Sequence, residues 1–270
     1  LLNGDGLKKN RKKSIELLKE ASNRGSMKAT HKYADILYDD GQKKEAIEIF
    51  KETADQGDLE AKFRYAVYLY KGEGSLLPQN KEESCRYFKE AADQGHVKSM
   101  VNYASLLYKG DGIKIDRPES FRIFKKAADL GDAEAMNNLG IFYMNGFDEI
   151  IPKNMKEAAV YFKKSAELGN SKGMNNFANC LYGGKGVFVD KQEAYKYYKM
   201  AADLGNYDSM NNLANMLIDG DGVESNESLA FKYYGVAADA GHPLAAYNYA
   251  LLLEKGEMAQ IDHEVIKNYF

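Results

Sequence analysis

Ala-Ala-Asp-X-Gly occurs at residues 91–95, 127–131, 201–205 and 237–241, and weaker copies of the phrase end at Gly25, Gly57 and Gly169. The seven anchor glycines stand 32, 38, 36, 38, 36 and 36 residues apart. A series that regular marks a repeat protein, in which each period is one supersecondary unit.

Other positions keep step with the anchor. Four residues after it stand Ala29, Ala61, Ser99, Ala135, Gly173, Ser209 and Ala245, all small. Nine after it the residue is alanine or glycine in every copy, from Ala34 to Ala250, and twelve after it stand Leu37, Leu69, Leu107, Tyr143, Leu181, Leu217 and Leu253. Offsets four, eight, nine and twelve share one face of a helix, here called helix A.

A second helix, B, precedes each anchor. Eleven residues before the glycine are Ser14, Ala46, Ser84, Ser120, Ala158, Ala194 and Ala230; seven before it are Leu18, Phe50, Phe88, Phe124, Phe162, Tyr198 and Tyr234. Four residues apart, the small and the large side chain lie on one stripe. The anchor itself falls where a helix end favours a left-handed residue, which glycine adopts at little cost.

Between A and B lies a Gly-X-Gly loop at Gly4/Gly6, Gly72/Gly74, Gly110/Gly112, Gly184/Gly186 and Gly220/Gly222. The period from Gly25 to Gly57 lacks it and is shorter, as an insertion in a surface connection requires. Neither helix buries its stripe alone, so the pairs must stack. The fold expected is all-α, one α-solenoid over residues 1–270 with seven A and seven B helices and the beginning of an eighth B at Tyr269-Phe270. Leu1-Leu2-Asn3-Gly4 resembles neither a signal peptide nor an initiator, and neither end carries a polar cap, so a truncated piece of a longer protein is expected.

The small–large pattern on paired helices, the period and the Gly-X-Gly insertion resemble the Sel-one-like repeat family, a relative of the tetratricopeptide repeats. The match extends over essentially the whole chain and is best at Ala-Glu-Ala-Met-Asn-Asn-Leu-Gly (133–140) and Gly-Asp-Gly-Val (220–223). The resemblance implies a right-handed superhelix with helix A lining the concave side, and an adaptor role, since family members assemble protein complexes. Secreted bacterial members carry a disulfide in each repeat, and some are linked to β-lactam binding or hydrolysis. This sequence departs from that branch: Cys85 and Cys180 have no partners at repeat spacing. Free thiols and the absence of a leader point to a reducing compartment, the cytoplasm.

Composition narrows the partner. A net charge of −3 offers no concentrated positive surface for nucleic acid, and no stretch approaches the ~20 apolar residues of a membrane span. The basic run Lys8, Lys9, Arg11, Lys12, Lys13 reads as a solvated loop and helix start. A polar ladder is more informative. Seven residues after the anchor stand Asn102, Asn138, Asn176, Asn212 and Asn248, with Lys32 and Arg64 in the first two copies; six after it stand Asn137, Asn175 and Asn211; ten after it, Asn179 and Asn215. Offsets six and ten share a face that is expected to point away from the apolar stripe. By resemblance to tetratricopeptide repeats, Asn137, Asn138, Asn175, Asn176, Asn179, Asn211, Asn212 and Asn215 occupy the ligand-facing positions. A carboxamide offers both donors and acceptors, so such a ladder can pair with the backbone of an extended peptide. The competing reading is that these residues merely bond the neighbouring helix.

No chemistry outranks packing. His31, His96, His242 and His263 are scattered without a second ligand at helical spacing, Asp219-Gly-Asp221-Gly lacks the later positions of a calcium loop, and the Gly-X-Gly loops follow helices, not strands. The sequence therefore points to a non-catalytic scaffold without metal or cofactor that holds a protein or extended peptide in its groove. The alternatives are a hydrolase of the β-lactam-recognising type and a repeat protein that self-associates through its outer or lateral face.

Overall fold

The structure, a computed structural model, describes residues 10–147 and 151–254. The Gly4/Gly6 loop, Lys8 and Lys9, His263 and the Tyr269-Phe270 segment lie outside the described residues. Among those described there are fourteen helices, packed in sequence as a solenoid of helix pairs. The B helices are α1 (Arg11–Asn23), α3 (Lys43–Asp55), α5 (Lys81–Asp93), α7 (Arg117–Asp129), α9 (Met155–Glu167), α11 (Lys191–Asp203) and α13 (Glu227–Asp239). The A helices alternate with them: α2 (Met27–Asp39), α4 (Leu59–Lys71), α6 (Val97–Lys109), α8 (Ala133–Asn145), α10 (Ser171–Gly183), α12 (Tyr207–Asp219) and α14 (Pro243–Glu254). Two compact units divide the chain, residues 1–123 and 124–270, with the border inside α7.

Each B-to-A turn couples the end of one helix to the start of the next. All seven anchor glycines have positive φ, from +79° at Gly205 to +99° at Gly57. The following residue then caps the A helix. Ser26, Asp58, His96, Asp132, Asn170, Asn206 and His242 each accept, through the side chain, from the backbone N–H three residues on. That N–H belongs to the small residue at offset four, and the cap satisfies a donor the helix leaves orphaned.

The small positions are contact points between the two helices of a pair. In the first unit, buried Ser84 of α5 donates through Oγ to the Ala66 carbonyl of α4 (2.7 Å), and Ser120 donates to the Ala104 carbonyl of α6 (2.6 Å). The first residue of each bond is the small one eleven before an anchor, and its partner is the small one nine after. The large residues fill the space beside them. Phe50 and Phe88 are fully buried in the first unit, as are Phe124 and Phe162 in the second, where Tyr198 and Tyr234 take the same position. In the second unit Gly140 leaves room for the Phe162 ring, since a Cβ there would come within 2.5 Å of it.

Two features differ from the sequence expectation. Leu253 of α14, placed in the packing stripe, is 51% exposed, and the B helix expected after it lies outside the described residues. The connection after α8, which has no Gly-X-Gly, closes instead with one antiparallel bridge between Phe147 and Ile151.

Candidate functional site

Apart from Asn102 in the first unit, the asparagine ladder occupies the A helices of the second unit and divides into an inner and an outer row. Asn137, Asn175 and Asn211, at offset six, are buried. The expectation that they point away from the packing is corrected: this face of helix A meets the A helix of the next repeat. There the amides pair with one another. Asn176 Nδ2 donates to Asn137 Oδ1 (2.8 Å), Asn212 Nδ2 to Asn175 Oδ1 (3.4 Å) and Asn248 Nδ2 to Asn211 Oδ1 (3.0 Å), while Ser209 Oγ also donates to Asn175 Oδ1 (2.9 Å). A buried carboxamide needs such partners to offset its desolvation. Asn102 in the first unit and Asn138 in the second turn back to their own helices, donating to the Lys98 and Glu134 carbonyls.

Asn179 and Asn215, at offset ten, are different. Both are partly exposed. The Tyr198 hydroxyl donates to Asn179 Oδ1 (2.6 Å), and the Tyr234 hydroxyl donates to Asn215 Oδ1, which also accepts from Asn248 Nδ2 (3.4 Å). With each carbonyl oxygen held, the amide orientation is set and the Nδ2 hydrogens have no acceptor among the described residues. Asn179, Tyr182, Tyr198, Asn212, Asn215 and Met216 line a pocket of about 180 Å³.

The tyrosine hydroxyls were missed in the sequence, where Tyr198 and Tyr234 read only as core. Their rings are indeed buried. A signal existed nonetheless. The two copies with tyrosine seven before the anchor are the two whose own A helix carries asparagine at offset ten; the phenylalanine copies pair instead with Asp35, Val67, Ser105 and Ile141.

Electrostatics differ between the units at these positions. In the first, Arg64 replaces the asparagine and donates through Nε to Glu60 (2.7 Å) and through Nη1 to Asp35 (3.2 Å), so that face is charged but internally paired. In the second unit the pocket lining is uncharged. Lys28, Lys98 and Lys172, three residues after their anchors, are exposed.

A second recurrent constellation was also missed. The acid between the loop glycines is clamped by a lysine at the start of a B helix and a tyrosine at the end of an A helix. In the first unit Tyr70 OH (2.7 Å) and Lys81 Nζ (2.8 Å) donate to Asp111, and Tyr38 and Lys43 donate to Glu73; in the second, Tyr182 OH (2.7 Å) and Lys191 Nζ (2.6 Å) donate to Asp221. In all three the lysine stands 30 residues before the acid, a spacing visible in the sequence. Asp221 of the calcium-like stretch is thus a carboxylate that ties one repeat to the next.

Hydrogen bonds from Lys191 and then Tyr182 hold the Asp221 carboxyl below its ordinary value; Lys81 and Tyr70 do the same for Asp111, and Tyr38 and Lys43 for Glu73. A depressed carboxyl contributes stability above its unfolded pKa, about 3.9–4.3, and loses it as the pH falls through the folded value. Melting temperature is therefore expected to fall more steeply below about pH 4 in the wild type than in Asp221→Asn. Equal slopes would mean that the clamp contributes nothing.

The histidines among the described residues, His31, His96 and His242, serve local structure. His31 Nε2 lies 2.9 Å from Asp58 Oδ1 in the first unit, His242 Nε2 3.0 Å from Asp208 Oδ1 in the second, and His96 caps α6. No cluster of three or more potential metal ligands occurs among the described residues. Cys85 and Cys180 are free and buried, and burial pushes both thiols up to about 11.

Comparison with solved structures supports the same architecture. A Sel1 repeat protein from Oxalobacter formigenes is 23% identical, with a TM-score of 0.73 over 88% of this chain and 94% of its own. A protective antigen of uropathogenic Escherichia coli with an SLR fold is 24% identical, with a TM-score of 0.72 over 96% of this chain; the chain spans only 55% of that protein. An immunity protein of Pseudomonas aeruginosa is 21% identical, with a TM-score of 0.51 and 70% of this chain covered. At these identities the likeness is one of fold. No curated protein matches the sequence. The Sel1 repeat model matches eight times, at residues 1–26, 28–58, 59–96, 97–132, 133–170, 171–206, 208–242 and 243–264. With nearly every residue inside one of these copies, the chain belongs to the Sel1 repeat family.

Proposed function

We propose that the protein is a non-catalytic scaffold that holds an extended segment of a partner protein against the A helices of its second unit. One observation carries this reading: Asn179 and Asn215 present oriented, unused amide donors at equivalent positions of consecutive repeats, beside a pocket with an uncharged lining. An extended backbone carries acceptors along its length and no net charge, and Sel1 repeats generally mediate protein interactions. Partial exposure, with the amide donors not engaged by a neighbouring helix, favours binding over packing as the role of these two residues. The inner row, by contrast, has its partners already.

The informative variant is Asn179→Ala/Asn215→Ala. Both side chains are partly exposed, so the fold is expected to survive, whereas Asn175→Ala or Asn211→Ala would strip buried amides of their partners. In a pull-down against wild type, with circular dichroism as the folding control, the double variant is expected to lose a bound protein. An unchanged set of partners would contradict the reading. Because the proposal includes the absence of catalysis, purified protein is expected to show no heat-sensitive turnover of a β-lactam; measurable turnover would restore the hydrolase alternative.

A further inference from the structure

The asparagine pocket has a copy one repeat further along, with its chemistry changed. The anchors Gly205 and Gly241 are 36 residues apart. Translated by that interval, Tyr182, Tyr198, Asn212, Asn215 and Met216 become Ile218, Tyr234, Asn248, Leu251 and Leu252. These five residues, together with Glu254, line a second pocket, of about 430 Å³. The position held by Asn215 in the first pocket is therefore Leu251 in the second, and Tyr182 gives way to Ile218. The first pocket offers amide donors; the second is largely aliphatic.

The first pocket also has a defined polarity. Asn179 and Asn215 offer Nδ2 donors, and Asn212, whose Nδ2 is directed to Asn175, retains an Oδ1 with no donor among the described residues. Lys191, the nearest clamp cation, is engaged by Asp221, as is the Tyr182 hydroxyl. A carboxylate entering here would lose water without gaining a counter-charge, and would approach Asp221. A primary amide matches the donors and the acceptor together.

The spacing follows from helix packing. The A helices are in direct contact, as the Asn212–Asn175 and Asn248–Asn211 bonds show, so the two pockets lie about 8–10 Å apart. An extended chain in the polyproline II conformation covers that distance in about three residues and, with three residues per turn, brings side chains i and i+3 to the same face.

We propose that the two pockets together recognise an extended peptide with a glutamine or asparagine side chain in the first and an aliphatic side chain about three residues away in the second. This rests on the reading of the helix-A face as the binding surface. The test is a series of peptides in which glutamine and leucine are separated by none to four serines, titrated into ¹⁵N-labelled protein and followed by the side-chain amide signals of Asn179 and Asn215. Two intervening serines are expected to give the tightest binding, by about fivefold over the shortest and longest spacers, and glutamate in place of glutamine is expected to weaken it by a similar factor. Asn179→Leu should abolish the preference for glutamine over glutamate and leave the leucine requirement intact. If every spacing moves the two amide signals equally, the register is wrong while the surface stands. If no peptide moves them, the proposal and the surface fall together.

Discussion

Phe162→Ala is expected to destabilise the second unit by about 3–5 kcal/mol. The ring is fully buried, lies against the surface that Gly140 leaves open, and belongs to a continuous cluster with Ala158, Phe177 and Ala178. Deleting it removes the transfer energy of the side chain and leaves a cavity at the point where α8 and α9 approach. Because a solenoid holds together through neighbouring repeats, the loss is expected to be local as well as global. Hydrogen exchange should accelerate in α8, α9 and α10 before the rest of the unit. Val160, on the same helix but 45% exposed, supplies the control: Val160→Ala should change stability by no more than about 0.5 kcal/mol. A Phe162→Ala effect as small as the control's would mean that the aromatic series does not form the core.

Gly186→Ala is expected to be nearly as damaging, for two separable reasons. Its φ of +78° places an alanine in the left-handed region, at about 1–2 kcal/mol. In addition, the new Cβ would overlap the Met155 carbonyl at the start of α9, where backbone cannot step aside cheaply, adding about 1–3 kcal/mol. Gly205 isolates the first term. Its φ is +79°, yet a Cβ there would meet nothing within 4 Å, so Gly205→Ala should show the conformational cost alone. Denaturant midpoints of the two variants, measured side by side, decide the matter. Equal losses would show that the close approach of loop and helix does not occur in solution.

These two residues also show what the sequence could and could not convey. The phase of the repeats, the left-handed anchor glycines and the small–large stripes were legible because each imposes a residue class at a fixed offset. Close approach of the second loop glycine to another helix was not, since spacing alone carries no distance. The offset-six asparagines were misplaced for a related reason. Helix A has two packing faces, one toward helix B and one toward the next helix A, and the second is polar because Asn137, Asn175 and Asn211 pair with amides from the following repeat. Counting apolar residues reveals only the first face. Of the offset-seven asparagines, Asn176, Asn212 and Asn248 serve that same contact, whereas Asn102 and Asn138 bond carbonyls of their own helices. The clamps were overlooked because lysine, tyrosine and acid come from three separate segments, joined only by a 30-residue step that becomes meaningful once one repeat leans on another.

The division of labour along the ladder then has a physical basis. Where the carboxamide can reach the adjacent A helix, it is consumed in holding repeats together. At offset ten a tyrosine hydroxyl from helix B takes the carbonyl oxygen, and the amide hydrogens are left facing the pocket. The chain thus uses one residue type for cohesion at offsets six and seven and, in the proposed role, for binding at offset ten, where each asparagine accompanies a tyrosine on the paired B helix.

Site-specific photocrosslinking tests the claim about that displayed surface most directly. A benzophenone amino acid at Tyr182, on the pocket wall, is expected to form a covalent adduct with the partner retained in the pull-down, while the same group at exposed Val160 of α9 forms none. Adducts from Val160 and none from Tyr182 would place the partner elsewhere and contradict the assignment.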